Sequence, residues 1–187
     1  HTLVFTPAQE WPLGQEYEVR FARRGFAAPQ VRLARQEVEF HAPSFTAAIE
    51  NNEFHQDPVV ATDKKIVTTL RFTQPVDAQS LERRLSVKLY ASVSDGREEE
   101  VTPSPTYTLT YDKLRLHAYL HSSSLAILPK GGRVAVKVEE GVQAVAGGNR
   151  TPGALTASVP VPGLYSLALN NLQPTIARDE RDVPSQA

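Results

Sequence analysis

The sequence contains no cysteine and no methionine, and it has a single tryptophan among 187 residues. Without a thiol the chain has no disulfide, no zinc–thiolate site and no cysteine nucleophile. The 20 basic and 21 acidic residues leave a formal net charge of −1, so no strong field attracts nucleic acid or an anionic lipid surface. No hydrophobic run approaches the length of a membrane span. These absences argue against nucleic-acid partners and against direct membrane insertion by this chain.

The chain opens on His1, in sequence typical of a strand, rather than on methionine. We therefore expect it to be a segment of a longer protein. Hydrophobic residues make up 41% of the sequence, which is enough to build a core in one large or two small domains. The composition thus predicts a globular chain rather than a disordered one.

Residues 65–90 carry the clearest pattern, a strand, a corner, a short helix and a second strand. Period-two alternation predicts a buried face on the first strand, made of Ile66, Thr68, Leu70 and Phe72. Pro75 should end that strand because it lacks a backbone donor and restricts the residue before it. Asp77 is then placed to cap a short helix over 78–84, accepting from the amide of Gln79 or Ser80. A strand over 86–91 follows.

Further strand candidates, separated by Pro- and Gly-containing turns, occur along the whole chain. In the first part they lie at 3–7, 17–21 and 37–41, with a shorter one near Arg32 and Leu33. Alternation there predicts one inward-facing set, namely Tyr17, Val19, Phe21, Val38 and Phe40. From residue 43 onward they lie at 47–49, 65–72, 86–91, 107–111, 113–120, 125–128, 133–138 and 155–161. Many short strands and one convincing helix predict an all-β fold of immunoglobulin-like antiparallel β-sandwich domains in tandem.

The punctuation of the sequence suggests how these domains are divided. We expect 1–42 to be the C-terminal part of an immunoglobulin-like β-sandwich and 43–163 to be a complete immunoglobulin-like sandwich. Residues 164–187 would begin a following domain, with a strand over 164–172, or form a linker. A weak internal repeat supports tandem copies, since 3–7 leading into 17–21 has the same form as 125–129 leading into 134–138.

Three histidines are the first candidates for a metal site. His117 and His121 have the spacing of zinc ligands on a helix, but the sequence around them alternates with period two. On a strand they would lie about 13 Å apart, too far to share one ion. His55, beside Asp57, has no third ligand nearby in the sequence. Solvated strand faces and loops therefore explain these histidines better than a metal site does.

Other polar clusters give no stronger signal for chemistry. The serines at 122–124 lack the Gly-x-Ser-x-Gly elbow of hydrolases, and no glycine-rich phosphate loop follows a strand. The carboxylates of Glu98, Glu99 and Glu100 alternate sides on an extended chain, which favours a solvated edge or loop. The sequon beginning at Asn149 is a poor glycosylation acceptor because Pro152 follows it. The sequence predicts a protein that is not an enzyme, with no catalytic, cofactor-binding or metal-binding residue and no cofactor.

Three segments, in this linear order, resemble the bacterial alpha-2-macroglobulins. The first is FTPAQEWPLGQEYEVRF at 5–21, and the second is the boundary Pro43-Ser44-Phe45. The third is EFHQDPVVATDKKIVTTLRFTQPVDAQSLERRLSV at 53–87, which contains an aromatic-x-x-Asp-Pro loop and a Phe-x-x-Pro-Val-Asp corner. The sequence VPVPGLYSLALNNL at 159–172 is also similar. The resemblance thus covers most of residues 3–90 and the far end of the predicted complete sandwich.

The resemblance implies a non-catalytic scaffold role in a protease inhibitor of the bacterial cell envelope. In that family such macroglobulin-like modules form the N-terminal part of a chain of sandwiches that traps a protease after it cleaves a bait segment. The implied location is the periplasm, with a membrane-anchored lipoprotein as an open alternative for the full-length protein. The implied partners are neighbouring domains of the same chain, target proteases through the full-length protein, and other envelope proteins. Without cysteine, this segment cannot carry the family's thioester.

The alternative is a binding or adhesion module of a bacterial surface protein built from immunoglobulin-like repeats. Such a module would display aromatic side chains along one sheet face, and Tyr107, Tyr111 and Tyr119 are candidates if they point outward. If the chain inhibited a protease by itself, the connections over 51–64 and 92–105 would be the candidate inhibitory loops.

Overall fold

The structure is a computed structural model that describes residues 4, 6–22, 35–60, 62–93, 96–164, 177–178 and 184–185. Its elements in chain order are β1 (Glu16–Arg20), β2 (Glu37–His41), β3 (Ala47–Gln56), β4 (Lys64–Phe72), α1 (Ala78–Glu82), β5 (Leu85–Ser92), β6 (Glu98–Glu100), β7 (Tyr107–Tyr111), β8 (His117–Ser122), β9 (Gly132–Val138), β10 (Leu155–Val161), β11 (Ala177–Arg178) and β12 (Pro184–Ser185). Within these ranges, no helix is long and apolar enough to cross a membrane.

Two four-stranded antiparallel sheets form a β-sandwich between β3 and β10. Their strand orders are β3-β4-β8-β7 and β10-β9-β5-β6. The edge strands β3 and β10 contact each other, which places β6 and β7 on the opposite side of the sandwich. β1 and β2 form a separate two-stranded antiparallel sheet, called here the N-terminal hairpin. The predicted all-β, immunoglobulin-like sandwich fold is confirmed.

The core lies between the two sheets and follows the alternation of the sequence. Ile66 and Leu70 on β4 are fully buried and Phe72 is 4% exposed, as predicted. The other sheet contributes buried branched side chains from β5 and β9, namely Val87, Leu89, Val134, Val136 and Val138. Phe45 stacks on Phe72 with ring centroids 6.0 Å apart, which extends the core beyond the start of β3. Burial on this scale is the main source of the sandwich's stability.

The corner after β4 forms as the sequence predicts. The carboxylate of Asp77 accepts a hydrogen bond from the amide of Ser80 at 2.7 Å and caps α1, which ends two residues earlier than predicted. Val76 is fully buried and forms an antiparallel bridge with Ala144, while Asp77 N donates to Gln143 O at 3.0 Å. These contacts fix the corner to the turn region at 140–151.

The predicted strand over 113–120 is wrong at its beginning, because β8 starts at His117. Residues 113–116 form the turn that reverses the chain from β7, and Arg115 has a positive φ of 55°. The carboxylate of Asp112 accepts from the amide of Leu116 at 2.8 Å and closes this turn. Leu114 lies in this turn and is therefore exposed. The single residue left between the two predicted strands was too short a connection for a hairpin.

Two other strand predictions differ from the structure. Residues 125–128 form no strand, although Leu125 and Leu128 are buried, because this segment inserts apolar side chains without joining a ladder. The predicted strand at 47–49 extends to Gln56, and a register shift between Ile49 and Asn51 disturbs its alternation. The acidic residues at 98–100 form an edge strand, one of the two predicted outcomes.

The first part of the chain follows the predicted strands but not all of the predicted faces. Val38 and Phe40 are 42% and 37% exposed rather than buried, because no second sheet among the described residues packs on the two-stranded N-terminal hairpin. In the predicted strand at 3–7, the described residues are not in a strand, and Leu3 and Phe5 lie outside the described residues. The predicted strand near Arg32 and Leu33 also lies outside them, as does the predicted strand over 164–172 apart from Leu164, which is in a turn. The division into three domains stays a prediction.

Candidate functional site: the joint between hairpin and sandwich

The N-terminal hairpin is fixed to the sandwich through a set of contacts, called here the joint, made by Leu13, Gly14, Phe45, Gly148 and Asn149. Leu13 is 6% exposed and belongs to the hydrophobic core of the sandwich. Its amide donates to Gly147 O at 3.2 Å, and its carbonyl accepts from the amide of Asn149 at 2.9 Å. Leu13 thus enters the sandwich as a one-residue parallel bridge.

Asn149 connects the joint to the start of the sandwich. Its side-chain oxygen accepts from the amide of Phe45 at 2.9 Å, and its side-chain nitrogen donates to the carbonyl of Phe45 at 3.1 Å. The side chain therefore imitates a neighbouring strand and satisfies both backbone groups of one residue. Since Phe45 is fully buried, the pair holds the first core residue of the sandwich next to the joint.

Two glycines allow the backbones of the joint to approach closely. Gly148 has a φ of +94°, and a Cβ atom there would collide with the backbone N and O of Leu13. Gly14 has a φ of +66°, and a Cβ atom there would lie 2.7 Å from the side-chain oxygen of Asn149. Glycine is the residue that accepts both the positive φ and the contact. In the joint, therefore, the backbone at residues 13–14 lies in direct contact with residues 148–149.

The two chain segments that leave the hairpin stay paired with each other up to the joint. Gly14 N donates to Pro43 O at 3.1 Å, and Ala42 N donates to Gln15 O at 2.9 Å. The approach to Leu13 is fixed by an aromatic cluster in which Trp11 lies 4.3 Å from Tyr17 and 4.6 Å from Phe40, measured between ring centroids. These contacts hold the two segments that leave the hairpin against each other, next to the joint.

The chain is also held where it leaves the sandwich after β10. Lys64 is 5% exposed, and its ammonium donates to Pro162 O at 3.2 Å. Leu164 N donates to Leu128 O at 3.0 Å, and a Cβ atom at Gly131 would lie 2.8 Å from Val161 O. The entry and the exit of the sandwich are thus both fixed by close backbone contacts.

The histidines are not brought together. His117 and His121 lie on β8, where His117 binds Asp112 through Nδ1 and Oδ2 at 3.0 Å and His121 is exposed. The hydrogen bond from His117, helped by backbone amides, lowers the pKa of the Asp112 carboxyl. His55 is exposed on β3. Among the described residues, no group of three or more His, Cys, Asp or Glu side chains is close enough to hold a metal ion.

The serines and acidic residues serve local structure. Ser122 is buried, and its hydroxyl accepts from Ile66 N at 3.0 Å and donates to Ser123 O at 2.8 Å. Ser124 donates to Asp63, which also accepts from Lys65 at 2.7 Å, and the bond from Lys65 is the largest cause lowering the pKa of Asp63. The glutamates at 98–100 are exposed on β6. Glu98 forms a salt bridge with Arg133, and Glu100 forms one with Lys88, both within the same sheet.

Two of the three candidate binding tyrosines pack against the core. The hydroxyl of Tyr107 donates to Leu85 O at 3.0 Å, and that of Tyr111 donates to Glu82 at 3.2 Å. Burial raises the pKa of both phenols. Tyr119 lies on the outer face of β8, with its ring stacked on His117 at 6.3 Å. These residues therefore do not form a row of exposed aromatic side chains, which is the sign of the alternative, a binding or adhesion module.

Sequence reasoning missed the joint. Locally, Asn149 indicates only a glycosylation sequon, and the two glycines before it indicate only a turn. The joint could have been predicted from the two glycines together with Asn149. Two glycines followed by a side chain with both a donor and an acceptor suit a close approach to another backbone. Leu13 gave no periodic signal, since it is a single buried residue outside a strand.

Comparison with known proteins identifies relatives over most of the chain. The chain is 32% identical over 181 residues to the "Alpha-2-macroglobulin homolog" of Yersinia pestis, which covers 97% of the chain, and 31% identical over 169 residues to the "Alpha-2-macroglobulin" of Pasteurella multocida (strain Pm70), which covers 88%. It spans 9% of the length of each relative. No family model matches the chain. The predicted resemblance to bacterial alpha-2-macroglobulins is therefore confirmed by curated homologues of that name that match most of this chain.

Proposed function

We propose that this chain is a non-catalytic scaffold segment of a bacterial alpha-2-macroglobulin-like protein that traps proteases in the periplasm. The joint is the observation that carries the proposal, because it holds consecutive parts of the chain at one orientation through Leu13, Gly148 and Asn149. The partners would be neighbouring domains of the same chain and, through the full-length protein, target proteases and other envelope proteins. A membrane-anchored lipoprotein is an open alternative for the form of the full-length protein.

The chemistry of the joint suits a scaffold. A trap made of consecutive domains encloses a protease only if its domains keep defined relative positions, and flexible linkers would let each domain rotate independently. Backbone hydrogen bonds to Leu13 resist that rotation, and burial of its side chain opposes separation of the two parts. The contacts of Lys64 and Gly131 with the chain after β10 would restrict the segment that follows the sandwich in the same way.

The connections considered as inhibitory loops support the same assignment. In the connection after β3, the carboxylate of Asp57 accepts from the amides of Val59 and Val60, both at 2.8 Å, and Asp57 N donates to Asp63 O at 3.0 Å. After β5, Val93 N donates to Arg97 O at 2.9 Å. The described part of the first connection is a turn closed by its own hydrogen bonds, and the second is divided by strand β6. Neither is an extended bait segment, so protease capture would depend on other segments of the longer protein.

The isolated chain provides the first test. We expect it neither to inhibit trypsin or elastase nor to form a covalent adduct with either, while circular dichroism shows that it is folded. Calorimetric titration should give a dissociation constant at or above about 100 μM. Stoichiometric, submicromolar inhibition by this chain alone would overturn the scaffold assignment.

The second test uses the longer protein and a matched pair of variants. Gly148→Ala places a methyl group against Leu13, whereas Gly147→Ala has a similar positive φ and nothing within 4 Å of its added Cβ. We expect Gly148→Ala to lower the fraction of protease that becomes trapped, and Gly147→Ala to lower it much less. Equal trapping by both variants and the wild type would show that the geometry of the joint does not matter for capture.

A further inference from the structure

The N-terminal hairpin and the hairpin formed by β9 and β10 begin with matching sequences. Residues 11–21 read WPLGQEYEVRF and residues 128–138 read LPKGGRVAVKV. They share a proline at the second position, a glycine at the fourth and a valine at the ninth. This match pairs Pro129 with Pro12, whereas the weaker repeat seen in the sequence pairs it with Pro7. The two hairpins are therefore candidates for equivalent parts of two modules.

The strands of the two hairpins pair in the same register. Glu16 lies opposite His41 in the first hairpin, and Arg133 lies opposite Pro160 in the second. In both pairs the first residue lies four positions after the proline that precedes its strand, and the second lies two positions before the proline that follows its strand. Residues at the same positions around these prolines therefore occupy equivalent places.

The matched glycines make the same kind of contact. Gly14 has a φ of +66°, and its amide donates to Pro43 O at 3.1 Å. Gly131 has a φ of +77°, and a Cβ atom there would lie 2.8 Å from Val161 O. Glycine accepts both the positive φ and the close approach. In each hairpin the turn before the first strand thus packs on the chain at the end of the second strand.

The residue before the matched glycine is Leu13 in the first hairpin and Lys130 in the second. Leu13 forms the parallel bridge to Gly148, in the sandwich that follows its hairpin along the chain. Tandem modules of one type contact their neighbours through equivalent surfaces. We propose that Lys130 forms a second joint, in which its backbone makes the same bridge to a sandwich that follows this one in the longer protein.

The first joint defines the chemistry of the partner. Residues 147–149 form a turn before β10, the last strand of the sandwich, and a Cβ atom at Gly148 would collide with the backbone of Leu13. The partner of Lys130 is therefore a turn before the last strand of the following sandwich, with glycine at the point of contact. Lys130 is exposed, so its aliphatic stem can pack on that turn while the ammonium stays in water.

The equivalence of the two hairpins ends two positions after the second proline. There Phe45 N donates to the side chain of Asn149 at 2.9 Å, whereas Leu164 N donates to Leu128 O at 3.0 Å. The second joint is therefore limited to Lys130. It rests on the proposed scaffold function, because it requires a further sandwich after this one.

Photo-crosslinking in the longer protein, without protease, tests the second joint. A small diazirine-bearing amino acid replaces Lys130 in one variant and Ile127 in the matched control. Ile127 is also exposed, and its counterpart Glu10 lies outside the first joint. The same amino acid at Leu13 is the reference, and it should crosslink to the peptide that contains 147–149. Circular dichroism verifies that each variant is folded, and mass spectrometry identifies the crosslinked peptides.

We expect position 130 to crosslink to the turn before the last strand of the following sandwich, and position 127 to give no such product. A crosslink from position 130 only to residues of this chain would overturn the proposal. So would the absence of a crosslink from position 130 when position 13 gives its own. The same product from position 127 would also overturn it, because the two hairpins would then not be equivalent in this register.

The outcome is separate from that of the trapping test. Because no protease is present, a missing crosslink at position 130 would leave the trapping by Gly148→Ala and Gly147→Ala unchanged. Conversely, equal trapping by those variants would count against the scaffold function while the crosslink still reported the second joint.

Discussion

Asn149 bonds to both backbone groups of Phe45, although 104 residues separate them in the sequence. The side chain thus takes the place of a neighbouring strand for a residue that is fully buried. A buried amide or carbonyl left without a partner costs its full desolvation energy, so this pair ties the start of the sandwich to its last turn. The joint depends on that connection.

Removing the Asn149 side chain should therefore destabilise the sandwich. We expect Asn149→Ala to lower the free energy of unfolding by about 2 kcal/mol, because the amide and the carbonyl of Phe45 both lose their partner. Chemical denaturation measures the change. Asn51→Ala, which truncates an exposed asparagine on β3, should stay within about 0.5 kcal/mol of the wild type. Similar losses for both variants would show that the Asn149 bonds contribute little.

The glycines at 147 and 148 should respond differently to the same substitution. Both have positive φ, at +71° and +94°, so alanine pays a similar backbone cost of about 1 kcal/mol at each. At Gly148 the new methyl group also meets the backbone of Leu13. Hydrogen exchange should therefore accelerate strongly at the amides of Leu13 and Asn149 in Gly148→Ala and only slightly in Gly147→Ala. Equal exchange in the two variants would contradict the close contact.

Local patterns predicted the centre of the fold well. The buried face of β4 follows from period-two alternation, and the cap at Asp77 follows from a side chain three residues before its partner. Both patterns involve residues that are close together in the sequence. Turn chemistry was harder. The turn at 112–116 needs the Asp112 bond to Leu116 and a positive φ at Arg115. Neither could be predicted, because the alternating leucines in this segment are typical of a strand.

Long-range arrangement accounts for the remaining differences. The alternation in β2 correctly predicts a strand, but it does not determine whether another sheet packs on Val38 and Phe40. The contact between Asn149 and Phe45 has no local signature, because it joins residues at opposite ends of the sandwich sequence. Leu13 is buried by a turn that follows it by more than 130 positions. Such contacts are set by the folded topology rather than by neighbouring residues.

The two neighbouring side chains at the end of β4 should differ sharply in their contribution to stability. Phe72 is 4% exposed and stacks on Phe45, so Phe72→Ala should lower the free energy of unfolding by about 3 to 5 kcal/mol. The Arg71 side chain is 58% exposed and lies 3.7 Å from Glu50, so Arg71→Ala should change it by less than about 0.5 kcal/mol. Denaturant midpoints measure both. An unchanged midpoint in Phe72→Ala would mean that the faces of β4 are reversed.

The Asp112–His117 pair should give the sandwich part of its sensitivity to acid. The hydrogen bond from His117, and then the amides of His117 and Leu116, hold the pKa of the Asp112 carboxyl below its ordinary value of 3.8. A carboxyl whose pKa is lower in the folded state stabilises the protein above its unfolded pKa, and the contribution disappears as the pH falls through the folded pKa. The contribution should therefore be complete near neutral pH and lost below about pH 3.8.

Asp112→Asn isolates this effect, because the amide oxygen can still accept from Leu116 N while the charge that attracts His117 is removed. We expect the variant to be less stable than the wild type at pH 6, and the difference to shrink as the pH falls to about 2.5. Urea unfolding at a series of pH values measures the difference. Glu53→Gln, a change at an exposed carboxylate on β3, should follow the wild type throughout. A difference for Asp112→Asn that stayed constant across the series would mean that the pair contributes through geometry alone, and that its charge has no part in acid unfolding.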